Sequence, residues 1–368
     1  MIVSSRFLVR SCNHTRNSSL CRLIRMWHKD FRGLTTVTSR RVFSGIQPTG
    51  SLHLGNYFGA VQKWVELQNL GGDTIFSIVD MHSITLPQDP NVLQNNVLKV
   101  TASLIACGID PEKSVIFQQS KVSQHAELCW VLGCLTTMAR LAHLPQFKEK
   151  SATLKEVPLG LYLYPVLQCA DILLYRATEV PVGEDQVQHL QLAQHLAKAF
   201  NNRFGYTFPI PRAVVGDTNV CRVKSLRDPS KKMSKSDVDS KSRIDLCDSP
   251  EIILDKCQKA LTDFQSAITF EPEHRAGVSN LISIHSLFTG QEPCNICKEY
   301  SDIDTGKYKL VVANVIQDYL KPIRERTEKL MADPLYLQEI LEQGSRKARS
   351  MAEETWQDVR KRIGFSSQ

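Results

Sequence analysis

Residues Lys231-Lys232-Met233-Ser234-Lys235-Ser236 place three lysines among small polar residues just after Asp228-Pro229, a composition that suits a phosphate-seeking loop better than a helix face. Far upstream, Gly50-Ser51-Leu52-His53-Leu54-Gly55-Asn56 sets a histidine, a glycine and an asparagine where a strand-like run gives way to an apolar-periodic helix. The start of a helix offers unpaired N–H groups and the positive end of the dipole, so it suits an anion such as a nucleotide phosphate. Two anion sites in one chain imply one polyphosphate. A third feature is Asp171, inside the apolar run Tyr164-Pro165-Val166-Leu167-Gln168-Cys169-Ala170-Asp171-Ile172-Leu173-Leu174-Tyr175. An ionised carboxylate in such surroundings is costly unless something donates to it. Two readings are open: a buried Asp satisfied by backbone or by an arginine such as Arg176, or a carboxylate awaiting a ligand's N–H.

Groups so far apart in sequence need a sheet to bring them together. From Arg41 to about Val182, buried-looking strands alternate with periodic helices, the pattern of a doubly wound, Rossmann-like parallel sheet covered on both faces. The spacing predicts strands at 41–46, 74–79 and 114–118, and helices over about 54–68, 90–106 and 124–142. Ligands of such sheets sit at the carboxyl ends of the strands, which puts His53, His82 and the Gly183 region near that edge. An apolar helix followed by Gln146-Phe147-Lys148-Glu149-Lys150-Ser151 interrupts the alternation like an insertion, at about 120–175. Its Leu132, Leu135 and Met138 suit either a partner surface or the core. Beyond Ser236 the strand pattern stops, and 250 to about 334 reads as several amphipathic helices separated near Gly277, Gly290 and Gly306. A final charged helix, about 336–363, is placed to pack back on the sheet.

The chain's 368 residues and 42% hydrophobic content allow two or three cooperating domains with a substantial core. No apolar run is long enough for a membrane span. The net charge of +7 is uneven: residues 1–41 hold eight Arg and one Lys against the single acid Asp30. Removing those nine bases and one acid from totals of 45 and 38 leaves the remainder one charge negative. An Arg-rich, Ser-rich, acid-poor leader has the composition of a mitochondrial transit peptide, here taken as 1–36, which points to the mitochondrial matrix; a basic nucleic-acid-binding arm is the alternative. Eleven cysteines at irregular intervals do not suggest a disulfide framework, and Cys294-Asn295-Ile296-Cys297 lacks the second pair a structural zinc needs.

His53-Leu54-Gly55-Asn56 and Lys232-Met233-Ser234-Lys235-Ser236 resemble the two signatures of class I aminoacyl-tRNA synthetases, His-Ile-Gly-His and Lys-Met-Ser-Lys-Ser. The second match is complete. In the first, Asn56 stands for a histidine, so that position must act by neutral hydrogen bonding. Phe43-Ser44-Gly45-Ile46-Gln47-Pro48, Ile78-Val79-Asp80-Met81-His82, Phe147-Lys148-Glu149-Lys150-Ser151, Ala170-Asp171-Ile172-Leu173-Leu174-Tyr175 and Val180-Pro181-Val182-Gly183-Glu184-Asp185-Gln186 narrow the resemblance to the bacterial-type tryptophanyl-tRNA synthetases, in order from about Phe43 to the C-terminus. With its leader, the whole is similar to mitochondrial members.

The resemblance implies a Rossmann-like catalytic domain at 37–241, a helical anticodon-binding domain at 242–335 and a C-terminal helix at 336–368. It implies an ATP-dependent ligase whose partners are L-tryptophan, ATP and tRNA(Trp), acting as a homodimer through the inserted segment, with Mg2+ held mainly by the ATP phosphates. It makes Asp171 the acceptor of the indole N–H, with Phe43, Gly45, His82, Ile172 and Val182 around the ring and Tyr164 and Gln186 at the amino end. Gln47 touches both substrates. His53, Leu54, Gly55 and Asn56 face ATP; Gly183, Glu184, Asp185 and Val223 take its ribose and adenine; Lys232, Met233, Ser234, Lys235 and Ser236 close on the leaving pyrophosphate, helped by Lys148. The family commonly has Met where Gln168 stands.

Overall fold

The structure, a computed structural model, describes residues 39–144, 156–183, 186–214, 223–235 and 237–365. The leader therefore lies outside the described residues. Five parallel strands form one sheet in the order β3-β2-β1-β4-β5, with β1 at Arg41–Ile46, β2 at Asp73–Ile78, β3 at Ser114–Gln118, β4 at Glu179–Pro181 and β5 at Arg212–Val214. The predicted second strand is shifted by one residue, and the two short strands β4 and β5 complete the sheet. The chain winds outward from β1 to β3, then returns to the other side of β1 to lay down β4. The reversal opens a crevice past the carboxyl ends of β1 and β4. Gly45 closes β1 there, where an added Cβ would lie 2.8 Å from Val79 Cγ1.

The helix after the first motif is continuous but not uniform. Leu54–Asn56 is α-helical, Tyr57–Val61 is a π turn, and Gln62–Asn69 is α-helical again; together they form α1. A π turn is recurrent beside functional sites and leaves no mark on apolar periodicity. A short helix, α2 (Asp80–Ser83), follows β2, and α3 (Pro90–Ala106) spans the stretch expected of it. Its start is dictated locally: Pro90 occupies the first helical position and Asp89 accepts from the amides of Asn91 and Val92 at 2.9 and 3.0 Å. The stretch 124–142, expected as one helix, is two: α4 (Gln124–Gly133) and α5 (Met138–Ala142). Gly133 and the weak helix formers Thr136 and Thr137 break it, and Thr137 caps α5 by accepting from Arg140 N at 3.3 Å. Within this stretch Leu132 is core while Met138 is exposed. Next come α6 (Leu159–Leu174) before β4 and α7 (Val187–Phe204) after it.

The helical region comprises α8 (Pro250–Gln258), α9 (Ala276–Thr289), α10 (Pro293–Glu299) and α11 (Thr305–Met331). Breaks fall beside all three glycines expected to mark them, but only Gly290 itself ends a helix, closing α9 in the left-handed conformation at φ 71°. Gly277 and Gly306 instead lie in the first turns of α9 and α11. Gly277 is required for packing, since a Cβ there would meet the Leu261 carbonyl oxygen at 2.1 Å.

Two apolar clusters hold the molecule together, one on each face of the sheet. On one side Phe76, Ile78 and Ile116 join α1, α3 and the whole helical region, with Trp64 stacked on Phe76 at 4.8 Å. On the other, Phe43, Ile75 and Phe117 meet α4, α6, α7 and the C-terminal helix α12 (Pro334–Ile363). That helix lies against β3 closely enough that a Cβ at Gly344 would collide with the Ile116 carbonyl. It is tied to the sheet by Arg349 donating to the Lys121 carbonyl and Gln124 to Glu353. No described helix is long and apolar enough to cross a membrane.

Candidate active site

The two anion motifs meet. Leu52 and Leu54 pair through their backbones with Ile244 and Leu246, downstream of the lysine loop, at 2.8–3.0 Å. The loop itself is the turn of a short antiparallel hairpin: Lys224 lies opposite Lys232, Met233 N donates to Val223 O at 3.1 Å, and Ser225 N donates to Lys231 O at 3.0 Å. Met233 is buried in the same cluster as Leu52 and Leu54, which fixes the hairpin's base while its lysines point elsewhere. Its carbonyl lies 3.7 Å from where a Gly55 Cβ would stand, and that Cβ would also press on the His53 ring at 2.8 Å. Gly55 thus allows the helix start and the loop to approach.

His53 is 4% exposed, and its Nδ1 has no hydrogen-bond partner among the described residues. Its backbone N–H donates to Asn56 Oδ1 at 3.2 Å, so Asn56 caps the turn as a neutral acceptor. Burial, and then the charges of Lys235, Arg243 and Lys232, lower the His53 pKa to about 3. The imidazole is neutral, in a field made positive by its neighbours. Lys235 Nζ donates to the Gly50 carbonyl at 3.3 Å, and burial lowers its pKa to about 8 against the opposing charge of Asp245. Lys232 is exposed, and Lys231 is held back by Asp228 at 2.9 Å.

Across the crevice stands Asp171, 2% exposed. It has no shortage of donors. His82 Nε2 reaches Oδ2 at 2.7 Å; His125 Nδ1 and Gln119 Nε2 reach Oδ1 at 2.6 and 2.7 Å. Burial alone would raise this carboxyl, but the hydrogen bonds and charges of His125 and His82 overcome it and hold the group well below the usual carboxylate range. Arg176 is not its partner; it turns to Asp358 on α12 at 3.0 Å. A carboxylate offers about four acceptor positions, so with three taken one remains for a further donor. Behind His125, Tyr175 contacts Nε2 at 2.9 Å and stacks on Phe43 with centroids 5.4 Å apart.

Most of the other expected residues lie just past strand ends or on α6. His82 enters from α2 past the end of β2, Ile172 is buried on α6, and Val182 and Gly183 follow β4. Tyr164 contacts His189 Nε2 at 3.1 Å and packs edge-on to His82, and burial pushes its hydroxyl up to about 12. Gln168 donates to Gln186 Oε1 at 3.3 Å. Gln47 is exposed just past β1. The Val223 carbonyl is committed to the hairpin, so only other atoms of that residue are open to a nucleotide. Lys148, Glu184, Asp185 and Ser236 lie outside the described residues.

Gln119, His125 and Tyr175 were missed from sequence. Gln119 is fully buried, accepting from Met81 N at 3.2 Å while donating to Asp171. The one available signal was His125 itself, a polar ring four positions after the end of the Gln119–Lys121 turn, in the first turn of a helix that is apolar from Leu128 onward.

A family profile described as tRNA synthetases class I (W and Y) matches residues 37–321. A tryptophan–tRNA ligase of Streptomyces avermitilis is 45% identical over 328 residues, 88% of this chain and 97% of its own. A mitochondrial tryptophan–tRNA ligase of Caenorhabditis elegans is 43% identical over 344 residues, 91% of this chain and 94% of its own. The crystal structure of a Campylobacter jejuni tryptophanyl-tRNA synthetase complexed with ADP and tryptophan superposes with a TM-score of 0.78 at 35% identity, over 88% of this chain and 99% of that one.

Proposed function

The chain belongs to the class I tRNA synthetases of the tryptophan and tyrosine branch, and on that premise we propose how its residues divide the work of making tryptophanyl-tRNA. It is an ATP-dependent tryptophan–tRNA ligase. A tryptophan carboxylate oxygen attacks the α-phosphorus of ATP, the bond to the β-phosphate breaks, and pyrophosphate leaves; a hydroxyl of the tRNA's terminal ribose then attacks the carbonyl carbon of the adenylate, losing its proton as AMP leaves. No side chain forms a covalent bond, so the protein contributes alignment and charge stabilisation.

In this reading neutral His53 and the cap of Asn56 contact the phosphates, Gly55 keeps bulk away, and Lys232 and Lys235, with Lys148, stabilise the departing pyrophosphate. Gly183, Glu184, Asp185 and Val223 hold the adenosine. Asp171 receives the indole N–H as its fourth donor, within a wall of Phe43, Gly45, His82, Ile172 and Val182; Tyr164, Gln186 and Gln47 orient the amino acid's polar end. Mg2+ enters this reading on the phosphates of ATP. The exposed Trp130, Met138 and Leu159 support a homodimer through this face. The leader composition and the nematode relative support a mitochondrial matrix location, with the helical region 242–335 reading the tRNA(Trp) anticodon.

The observation that carries this reading is a complete lysine signature seated on the Gly50–Asn56 turn, across one crevice from a buried, ionised carboxylate. ATP–pyrophosphate exchange with single amino acids tests it: tryptophan should drive exchange and tyrosine should not. Exchange driven by tyrosine, or by neither, overturns it.

A further inference from the structure

Lys224 faces two ways. Its neighbours Val223 and Ser225 spend their backbone groups on the hairpin with Met233 and Lys231, as an antiparallel pair does at a position whose own groups point outward. Both outward groups of Lys224 are met by one side chain. Lys224 N–H donates to Asn280 Oδ1 at 3.0 Å, and Asn280 Nδ2 donates to the Lys224 carbonyl at 3.1 Å. Asn280 is 5% exposed on α9, so its amide serves as a third rung beside the hairpin, supplied by the helical region. The same junction is held from below, where Leu261 N donates to Leu226 O at 2.7 Å and Gly277 hugs the Leu261 carbonyl.

We propose that Asn280 is a positioning residue for adenylate formation: its two-point hold on Lys224 sets the height of the hairpin, and through it the reach of Lys232 and Lys235 towards the phosphates. This rests on the lysine loop acting on ATP as proposed above. An amide fits because it alone among short side chains offers one donor and one acceptor in a plane, matching a backbone N–H and C=O. Displacing a charge-stabilising group by an ångström costs on the order of 10²-fold in rate, so even a partial shift registers in turnover.

The test uses the full chain. In Asn280→Ala the turnover of tryptophan-dependent pyrophosphate exchange should fall roughly tenfold or more, with tryptophan affinity, measured by equilibrium titration without ATP, held within about twofold. Asn280→Asp keeps the acceptor but sets a carboxylate against the Lys224 carbonyl; it should show the same split and serves if the alanine variant fails to fold. Placed on a Lys235→Ala background, Asn280→Ala should cost less than alone, because one of the two groups it positions is gone. Unchanged turnover, a parallel loss of tryptophan binding, or a fully additive double variant overturns the proposal. If Lys235→Ala itself leaves exchange untouched, the lysine-loop reading fails; if it slows exchange while folded Asn280 variants do not, only the role of Asn280 fails.

Discussion

The two sides of the crevice are built on different principles. On the amino-acid side Asp171 is locked by three donors at 2.6–2.7 Å, each in turn held by Tyr175, Met81 or α2, and shielded from water. On the nucleotide side the cations sit in partly open loops, Lys235 touching one carbonyl at 3.3 Å and Lys232 exposed. On the proposed assignment, recognition is prepared before any substrate arrives, whereas the groups that stabilise departing charge are left to be drawn in by it. A rigid acceptor rejects amino acids that lack a matching donor, because the mismatch leaves a buried group unpaired. Loosely held cations avoid tight binding of ATP in its ground state, so their attraction grows as charge develops on pyrophosphate.

Four perturbations probe this contrast. Asp171→Asn should have the largest effect: tryptophan KM should rise by on the order of 10³-fold or more, since one oxygen becomes a donor set against either His82 or the pair His125 and Gln119, while ATP binding survives. An unaltered tryptophan KM in steady-state kinetics would remove Asp171 from the pocket. Lys235→Ala should slow activation by roughly 10²-fold with little change in tryptophan affinity, as for loss of a charge-stabilising donor. Pyrophosphate-exchange rates near the parent value would erase the proposed asymmetry.

A pH profile separates the two sides without mutation. Lys235 must be protonated to attract pyrophosphate, and burial has lowered its pKa to about 8. In the free enzyme kcat/KM for ATP should therefore decline as pH rises through that value, approaching tenfold per unit. Tryptophan affinity should stay level from about pH 6 to about pH 8, because Asp171 is already ionised throughout. A common titration of both quantities would show that the sides are not independent. The smallest effect belongs to Gln168→Met, which loses only a 3.3 Å contact to Gln186; tryptophan KM should change by less than about threefold, within the range of an isolated, partly exposed hydrogen bond.

Much of the scaffold was legible because it obeys short-range rules. β1, β3 and α3 appear where periodicity and capping put them, and α12 starts two residues early because Asp333 and Pro334 form a helix start. The break between α4 and α5 was missed because apolar spacing continued across Gly133 to Thr137. For the site, both ATP signatures and Asp171 stood out as residue types in unusual company. The clamp around Asp171 did not, since Gln119, His125 and Tyr175 come from a turn and two helices that only the folded sheet brings together, and each alone is an ordinary residue. Asn280 was invisible for the same reason: its partner is a backbone 56 positions away.

The C-terminal helix α12 carries a consequence for biosynthesis. The residues proposed to act on the substrates lie between Phe43 and Ser236, yet the flank of β3 is covered by residues such as Gly344, Ala348 and Val359, which are synthesised long after them. A nascent chain therefore holds the proposed reacting groups on an unfinished sheet, and a message that stops before α12 yields a product with a bare strand edge open to pairing with other chains. Synthesis through α12 is in this way a condition of solubility before it is a condition of activity.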